Sequence, residues 1–556
     1  MTPPPTLDPE LDAVVVDCWP RAQEHWSRFL LLQPPGDDSA QAAVAQIDLT
    51  TRRIGLHYRL IREKNLLDCV EALLAHEIGH HVRYPGTLTT QARLRLLEKA
   101  ILPLDDYSVV NLFTDLLIND TLWPALGSKL ARVYQAFATH VTRGADPAFL
   151  FYLSVFEERH GLKPGVLMGP CHEELVKAHP NYRAQAQLLG QNLFHLGPNL
   201  YTQFLYFVSV ISHYVLLPGS QTATGHGEVH DCGCGEPSAD DWADALTPDA
   251  REREAIRRAE VEGWIRRELA QRMSDRDALA RRIHTLPGVG GDDATRVPEV
   301  MAAYYRRQAD RYLLRPPPQL VHGEATTPTT LEEWEPGDPL RDVDWATTLS
   351  QRGPLLGAAQ PLRRFRVAEA EGWEVPLWQP RVEIYLDVSG SMPDPRLTRN
   401  AMTLAAQILV TGAIRAGGWA RAVLYSGASV PFWEWCRSEA ELSRFLMHYI
   451  GGGTEFPFHL LRESVTACGP VQPIRVIISD SDFHRNYDSL PDSAVFVEAA
   501  RVSPHLILML HATGDVACRY TRAGARVITV EELEDYPTMA VALANALFEG
   551  EPHGIR

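Results

Sequence analysis

Up to about residue 217 the apolar positions recur at helical spacing, and from Arg381 onward they gather into short runs separated by helical stretches. In the first region NLLDCVEALLAHEIGHHVRY predicts a helix from Asn65 to Tyr84. Its apolar stripe is Leu66, Leu67, Val70, Leu73, Leu74 and Ile78, and Pro85-Gly86 stops it. YSVVNLFTDLLINDTLWP predicts a second helix, capped near Asp106 or Ser108 and ended by Pro124; it is apolar nearly all round and must be buried. In the last region RVEIYLDVSGS, ARAVLYSGAS, IRVIISDSD, PHLILMLHATG and ARVITVEEL predict strands. LTRNAMTLAAQILVTGAIRAGG and SEAELSRFLMHYIGGG predict helices between them, so the expected fold there is a doubly wound, mainly parallel sheet.

Between these regions PGSQTATGHGEVHDCGCGEPSADD has no apolar period and predicts a linker or exposed loop. The run DAREREAIRRAEVEGWIRRELAQRMSDRDALARRI predicts one or two solvated helices, and LPGVGGDD and LRPPPQ break it. The expected divisions are a mainly α domain over 1–220, a linker and charged helical connector over 221–330, a lead-in over 331–378, and an α/β domain over 379–556. A chain of 556 residues is too long for one core, in keeping with several domains.

A net charge of −17 argues against a nucleic-acid partner or an anionic membrane surface. NLYTQFLYFVSVISHYVLLPG is long enough to span a bilayer, but Asn199, Gln203 and His213 make it a buried helix rather than a membrane span. No signal segment is visible, and Cys18, Cys69, Cys171, Cys436, Cys468 and Cys518 are scattered, so a reducing cytoplasm is expected. His226, His230, Cys232 and Cys234 could hold a metal, but their spacing fits structural zinc sites poorly and an incidental loop is the reading adopted. No GxxxxGK[ST] is present, so the chain is not expected to hydrolyse nucleotide.

Two constellations carry chemistry. His76 and His80 lie one turn apart on the first helix, so both imidazoles can reach one Zn²⁺, with Glu77 as general base. On the second helix Asn111, Asp115 and Asn119 form a polar stripe in an apolar cylinder. A buried carboxylate needs a partner, which makes Asp115 the candidate third ligand, with the two asparagines behind the ligands. Gly79 costs roughly 1 kcal/mol in mid-helix, which suits a place where another backbone packs close. HEIGH followed by NLFTDLLIN is similar to the predicted metallopeptidase domain found upstream of VWA-like domains in many bacterial proteins; the match covers roughly Leu60 to Leu122. The resemblance implies a zincin-like helical domain with Zn²⁺ on His76, His80 and Asp115 and Glu77 as catalytic base. His81 is off the ligand face.

The second constellation begins with Asp387, Ser389 and Ser391 at the carboxyl end of a predicted strand, the edge where open parallel sheets bind ligands. Thr454 in GGGTEF and Asp480 in RVIISDSD add oxygen donors suited to Mg²⁺ or Mn²⁺. This set resembles the metal-ion-dependent adhesion site (MIDAS) of a von Willebrand factor A (VWA) domain, a Rossmann-like fold. The departure is Asp480-Ser481, with Asp482 nearby, where the family has Asp-Gly. LEEWEPGDPLRDVDWATTLSQRG resembles the lead-in of VWA proteins encoded beside MoxR-type AAA+ ATPases, through PGD, Arg341 and VDW; as a plain segment it is an acidic loop anchored by Trp334 and Trp345. Together the resemblances imply a zinc metallopeptidase acting on protein or peptide and coupled through the MIDAS to a MoxR-type AAA+ ATPase. The alternatives are a non-catalytic adaptor whose zinc braces the fold and a chelatase-type accessory subunit.

Overall fold

A computed structural model describes residues 8–27, 29–102, 108–138, 146–215, 235–247, 249–275, 296–312, 321–353, 360–374, 379–469, 472–488, 493–503, 505–511 and 514–548. The chain forms two compact units. The first is Met1–Gln308 with the segments Val388–Thr403 and Ser443–Gly452; the second is Ala309–Asp387, Leu404–Leu442 and Gly453–Arg556. His226, His230, Cys232 and Cys234 lie outside the described residues, as does Asp106.

The first unit opens with α1 (Pro9–Glu24), whose N-cap Asp8 accepts from Leu11 N at 3.0 Å ahead of Pro9 at the first helical position. A small sheet follows: β1 (Gly36–Asp37), β2 (Ala45–Asp48) and β3 (Arg53–Leu56), in the order β1-β3-β2. The sequence pattern of a mainly α domain does not predict this sheet. Its strands are two to four residues long, too short to show an alternating pattern. After α2 (Tyr58–Glu63) the predicted helix is shorter at its start: Asn65 turns the chain with φ +55°, a 3₁₀ turn spans Leu67–Cys69, and α3 is Val70–Val82. Then come α4 (Leu88–Ile101) and α5 (Val110–Ala138).

Pro124 does not end α5. A helical proline removes one backbone bond and crowds the preceding turn. The apolar stripe, however, runs on through Leu122, Leu126, Leu130, Val133 and Phe137, all buried, and its burial outweighs that loss. The unit continues with α6 (Pro147–Arg159), α7 (His172–Ala178), α8 (Tyr182–Asn192) and α9 (Leu200–Val215). α9 is the apolar stretch considered as a span. It is 16 residues long and packs Phe204, Leu205, Phe207, Val208 and Ile211 into the core, and no helix among the described residues is long and apolar enough to cross a membrane.

The charged run expected as a separate solvated connector packs into this same unit. A helix, α10 (Ala239–Ala245), begins inside the stretch read as a linker or exposed loop, and the described helices of the charged run, α11 (Ala250–Val261) and α12 (Arg267–Ser274), include Ala255, Ile256, Ala259, Ala270 and Met273, which bury in the core of α3 and α5. Sparse apolar residues on one stripe are enough for a helix that lies on a surface.

In the second unit β4 (Val321–Glu333) and β5 (Leu362–Glu374) form an antiparallel pair. Between them Trp334 Nε1 donates to Asp338 O at 3.0 Å, and Asp344 caps a helix over Trp345–Arg352. Trp345 is half exposed, so it does not anchor this loop.

The main sheet has six strands: β6 (Arg381–Asp387), β7 (Trp419–Tyr425), β8 (Ser429–Cys436), β9 (Ile474–Ser479), β10 (Leu506–His511) and β11 (Arg526–Val530). Their order is β11-β10-β9-β6-β7-β8, and only the β7–β8 pair is antiparallel. Counted within the sheet this is 3-2-1-4-5-6, the doubly wound order, with an antiparallel edge strand the apolar runs did not predict.

One face of its centre carries charge. Glu383 stands in register with Arg421 on β7 and Arg475 on β9. Its carboxylate accepts from Arg421 Nη2 at 2.7 Å and Ser464 Oγ at 2.6 Å, and from the Tyr385 hydroxyl. Arg475 donates to Ser464 Oγ at 2.9 Å. Glu383 and Arg475 have no exposed surface.

Candidate metal centres

α3 and α5 bring His76, His80 and Asp115 together in the first unit. His80 Nε2 lies 3.2 Å from His76 Nε2 and 3.2 Å from Asp115 Oδ1, and His76 Nε2 lies 3.4 Å from the same oxygen. Four donors set about 2.0–2.1 Å from a tetrahedral Zn²⁺ stand about 3.3 Å apart. The three observed edges fit one face of that tetrahedron.

The hydrogen bonds behind the rings make this a set of acceptors. Tyr84 O, which can only accept, lies 2.8 Å from His80 Nδ1, so the proton sits there and Nε2 keeps its lone pair. Asn119 Nδ2 donates to the Tyr134 hydroxyl at 2.8 Å, which turns Asn119 Oδ1 toward His76 Nδ1, also at 2.8 Å. Burial pushes the Tyr134 hydroxyl up, and it stays neutral beside Tyr152 at 2.7 Å. Two imidazole lone pairs and a carboxylate oxygen thus converge in a buried space, an arrangement suited to a cation. Among the described residues no fourth His, Cys, Asp or Glu joins the cluster.

The helix that carries them is held from several sides. Trp26 Nε1 donates to Ala75 O at 2.7 Å, and Lys129 on α5 bonds Glu71 at 2.7 Å. A Cβ at Gly79 would lie 2.7 Å from Trp26 Cζ2 and 2.8 Å from Ile118 Cγ2, so the close approach there is by side chains and not by another backbone. Glu77 is 7% exposed and has no hydrogen-bond partner among the described residues. Asn111 is only half-buried and is not joined to the trio by any described hydrogen bond, unlike Asn119. His81 is half-buried, and burial lowers its pKa.

A cleft of about 700 Å³ opens where α3 ends, with Arg83, Tyr84, Leu117, Asp120, Tyr201 and Arg251 among its walls. None of the trio lines it, but Tyr84 is the residue whose carbonyl orients His80, and Asp120 follows Asn119.

The second constellation divides between the units: Asp387, Thr454 and Asp480 belong to the second, Ser389 and Ser391 to the first. In the second unit Asp387 ends β6 and Asp480 follows β9, the two strands that flank the reversal of strand order. Asp387 Oδ2 accepts from Ser479 Oγ at 2.7 Å. Asp480 is 6% exposed and accepts from Asp482 N at 2.9 Å, whereas Asp482 is half-buried and pairs with Arg485. Of the two aspartates in the unusual last loop, Asp480 is therefore the inward one. Asn486 grips the threonine loop, donating to Thr454 O at 3.0 Å and accepting from Phe456 N at 3.1 Å. In the first unit Ser389 Oγ and Ser391 Oγ lie 3.1 Å apart. Between them Gly390 N donates to Gly452 O at 2.8 Å. A Cβ at Gly390 would stand 3.0 Å from that carbonyl, which is why a glycine occupies the position between the serines.

Sequence reasoning missed Tyr84, Tyr134, Tyr152 and Asn486. Tyr84 had a local signal, since it lies four residues past His80 at a helix end set by Pro85. Tyr134 lies on α5 itself but fifteen residues past Asn119, and Tyr152 and Asn486 act from other elements, so none of the three carries a local signal.

No family model matches the chain, and no curated protein does. Among solved structures, a von Willebrand factor type A protein from Catenulispora acidiphila is similar at 16% identity with a TM-score of 0.23. The match covers 30% of this chain and 42% of that one, so the chain spans less than half the length of that structure.

Proposed function

We propose that the chain is a zinc-dependent peptidase joined to a VWA-type domain that docks a protein partner through a Mg²⁺ or Mn²⁺ ion. The observation that carries the first half is the spacing of three acceptors, His76 Nε2, His80 Nε2 and Asp115 Oδ1, at 3.2–3.4 Å. Those residues would hold Zn²⁺, with Asn119 and Tyr84 O fixing the rings. When bound, the ion supplies Lewis acidity toward a peptide carbonyl and makes water a stronger acid. Glu77, adjacent to His76 in sequence, accepts the proton from the attacking water and returns it to the departing amine. Three ligands among the described residues match a catalytic site, which keeps a place for water, better than a four-ligand structural one.

The burial of the trio favours a second reading, a non-catalytic adaptor braced by zinc, because His80 and Asp115 have no exposed surface. Metal analysis of the purified chain, followed by a peptide-cleavage screen of wild type and Glu77→Gln, decides between them. Zinc with cleavage that Glu77→Gln abolishes supports the peptidase; zinc with no cleavage of any peptide supports the adaptor; absence of zinc sinks both.

The second half rests on the strand order and on Asp387 and Asp480 at the carboxyl ends flanking its reversal. Asp387, Ser389, Ser391, Thr454 and Asp480 would share the ion, leaving a place for a carboxylate from the partner. A MoxR-type AAA+ ATPase is the proposed partner because of the PGD–Arg341–VDW lead-in. Binding of such an ATPase with and without chelator, and to Asp387→Ala, tests this half. Equal binding in all three conditions would exclude the ion as the docking point.

A further inference from the structure

The cleft at the end of α3 holds charges of both signs, but only one sign is already spent. Asp120 binds Arg159 Nε at 2.9 Å and lies 3.4 Å from His160 Nε2. Asp249 caps α11, accepting from Arg251 N at 2.8 Å and Glu252 N at 3.1 Å, and pairs with Arg93 at 3.4 Å. The two wall arginines have no such duty. Arg83 is exposed and lies 5.2 Å over the Tyr84 ring, and Arg251 is exposed; among the described residues neither guanidinium meets a carboxylate. In a chain of net charge −17, two guanidiniums left open in one cleft are a local reversal of sign.

The volume, about 700 Å³, is in the range of ligand-binding clefts, and Tyr84, Phe194 and Tyr201 give it apolar surface between the charges. We propose that this cleft binds acidic peptide segments, with Arg83 and Arg251 recognising their side-chain carboxylates. Guanidinium matches carboxylate as a two-toothed donor, and two arginines suit a segment with several carboxylates better than a chain terminus with one. The inference deepens the peptidase reading and rests on it for placing a peptide beside the trio.

The test is fluorescence anisotropy with the whole 556-residue chain in a Glu77→Gln background, which prevents cleavage. The probes are a short amidated peptide of alternating Glu and Gly and its Gln counterpart with a free terminal carboxylate. The Glu peptide is expected to bind about ten-fold tighter at low salt, with the preference shrinking as salt screens the charges. Arg83→Gln and Arg251→Gln are each expected to weaken it by about three-fold, and the double variant to erase the preference. Equal binding of the two peptides, tighter binding of the Gln peptide, or an undiminished preference in the double variant would overturn the proposal. Metal analysis of the same samples keeps the two readings apart. An acidic preference in zinc-free protein sinks the peptidase and keeps the cleft; zinc without the preference sinks the cleft and leaves the zinc assignment standing.

Discussion

The two constellations are built on different scaffolds. His76, His80 and Asp115 project from two helices packed within one unit, so helix spacing sets the two histidines and the packing of α5 on α3 brings the aspartate to them. Asp387, Ser389, Ser391, Thr454 and Asp480 sit at strand ends and on loops, and the two serines belong to a different unit from the rest. The helical set is buried, suited to an ion that stays. The loop set is suited to an ion that is exchanged or shared with a partner.

The largest expected effect breaks the helical set alone. A His76→Ala/His80→Ala variant should lose its zinc altogether and melt at a lower temperature, by metal analysis and calorimetry, because metal binding is coupled to folding. Its response to Mg²⁺ should not change. Full zinc retention would refute the ligand assignment.

Glu77→Gln comes next. It should keep zinc and fold while lowering any peptidase rate by about 10²- to 10⁴-fold, the usual worth of a general base. A smaller step is expected for Asn119→Ala, which removes the partner of His76 Nδ1. Zinc affinity measured by competition with a chelator should fall by about 10- to 100-fold. Wild-type affinity would show that Tyr134 and Asn119 do not orient the ring.

Gly79→Ala should destabilise the first unit by about 1–3 kcal/mol in denaturant melts, since the added methyl meets Trp26 and Ile118. A neutral or stabilising result, as helix propensity alone predicts, would mean those side chains yield. The smallest effect is expected at the loop set. Saturating Mg²⁺ at ten times its Kd should stabilise wild type by about 1.4 kcal/mol, and Asp387→Ala should remove this gain while leaving zinc in place.

The same contrast explains what could be read from the chain. α3 and the β6, β7, β9 and β10 strands announce themselves because each buries a mainly apolar stripe or run, and β11 because RVITV is a short β-branched run although only Val530 in it is buried. The small sheet does not, because GD, AQID and RIGL are too short for a period. β8 escapes because SVPFWEWC is an edge strand that contains Pro431 and has no buried run. Pro124 misleads about the extent of α5 because the packing that continues beyond it is tertiary. In the site, Asp115 and Asn119 stand out as polar residues in an apolar helix. Tyr134 and Tyr152 do not, because a tyrosine in a helix reads as core until its hydroxyl is seen against Asn119.

The charged ladder of Glu383, Arg421 and Arg475 has a consequence for how the sheet is assembled. These residues are neighbours across three adjacent strands, although Arg475 leaves the ribosome long after the other two. Glu383 and Arg421 can pair as soon as β6 and β7 meet, whereas β9 must add to the other edge of β6 before β10 and β11 follow it. A slip of β9 by one residue would turn Arg475 to the opposite face and bury an apolar neighbour against Glu383. An uncompensated buried charge costs about 3–5 kcal/mol, so misaligned insertion is rejected more strongly than an all-aliphatic strand would reject it. The ladder therefore acts as a proofreader of strand insertion, and it sits in the very strands whose far ends must align Asp387 with Asp480.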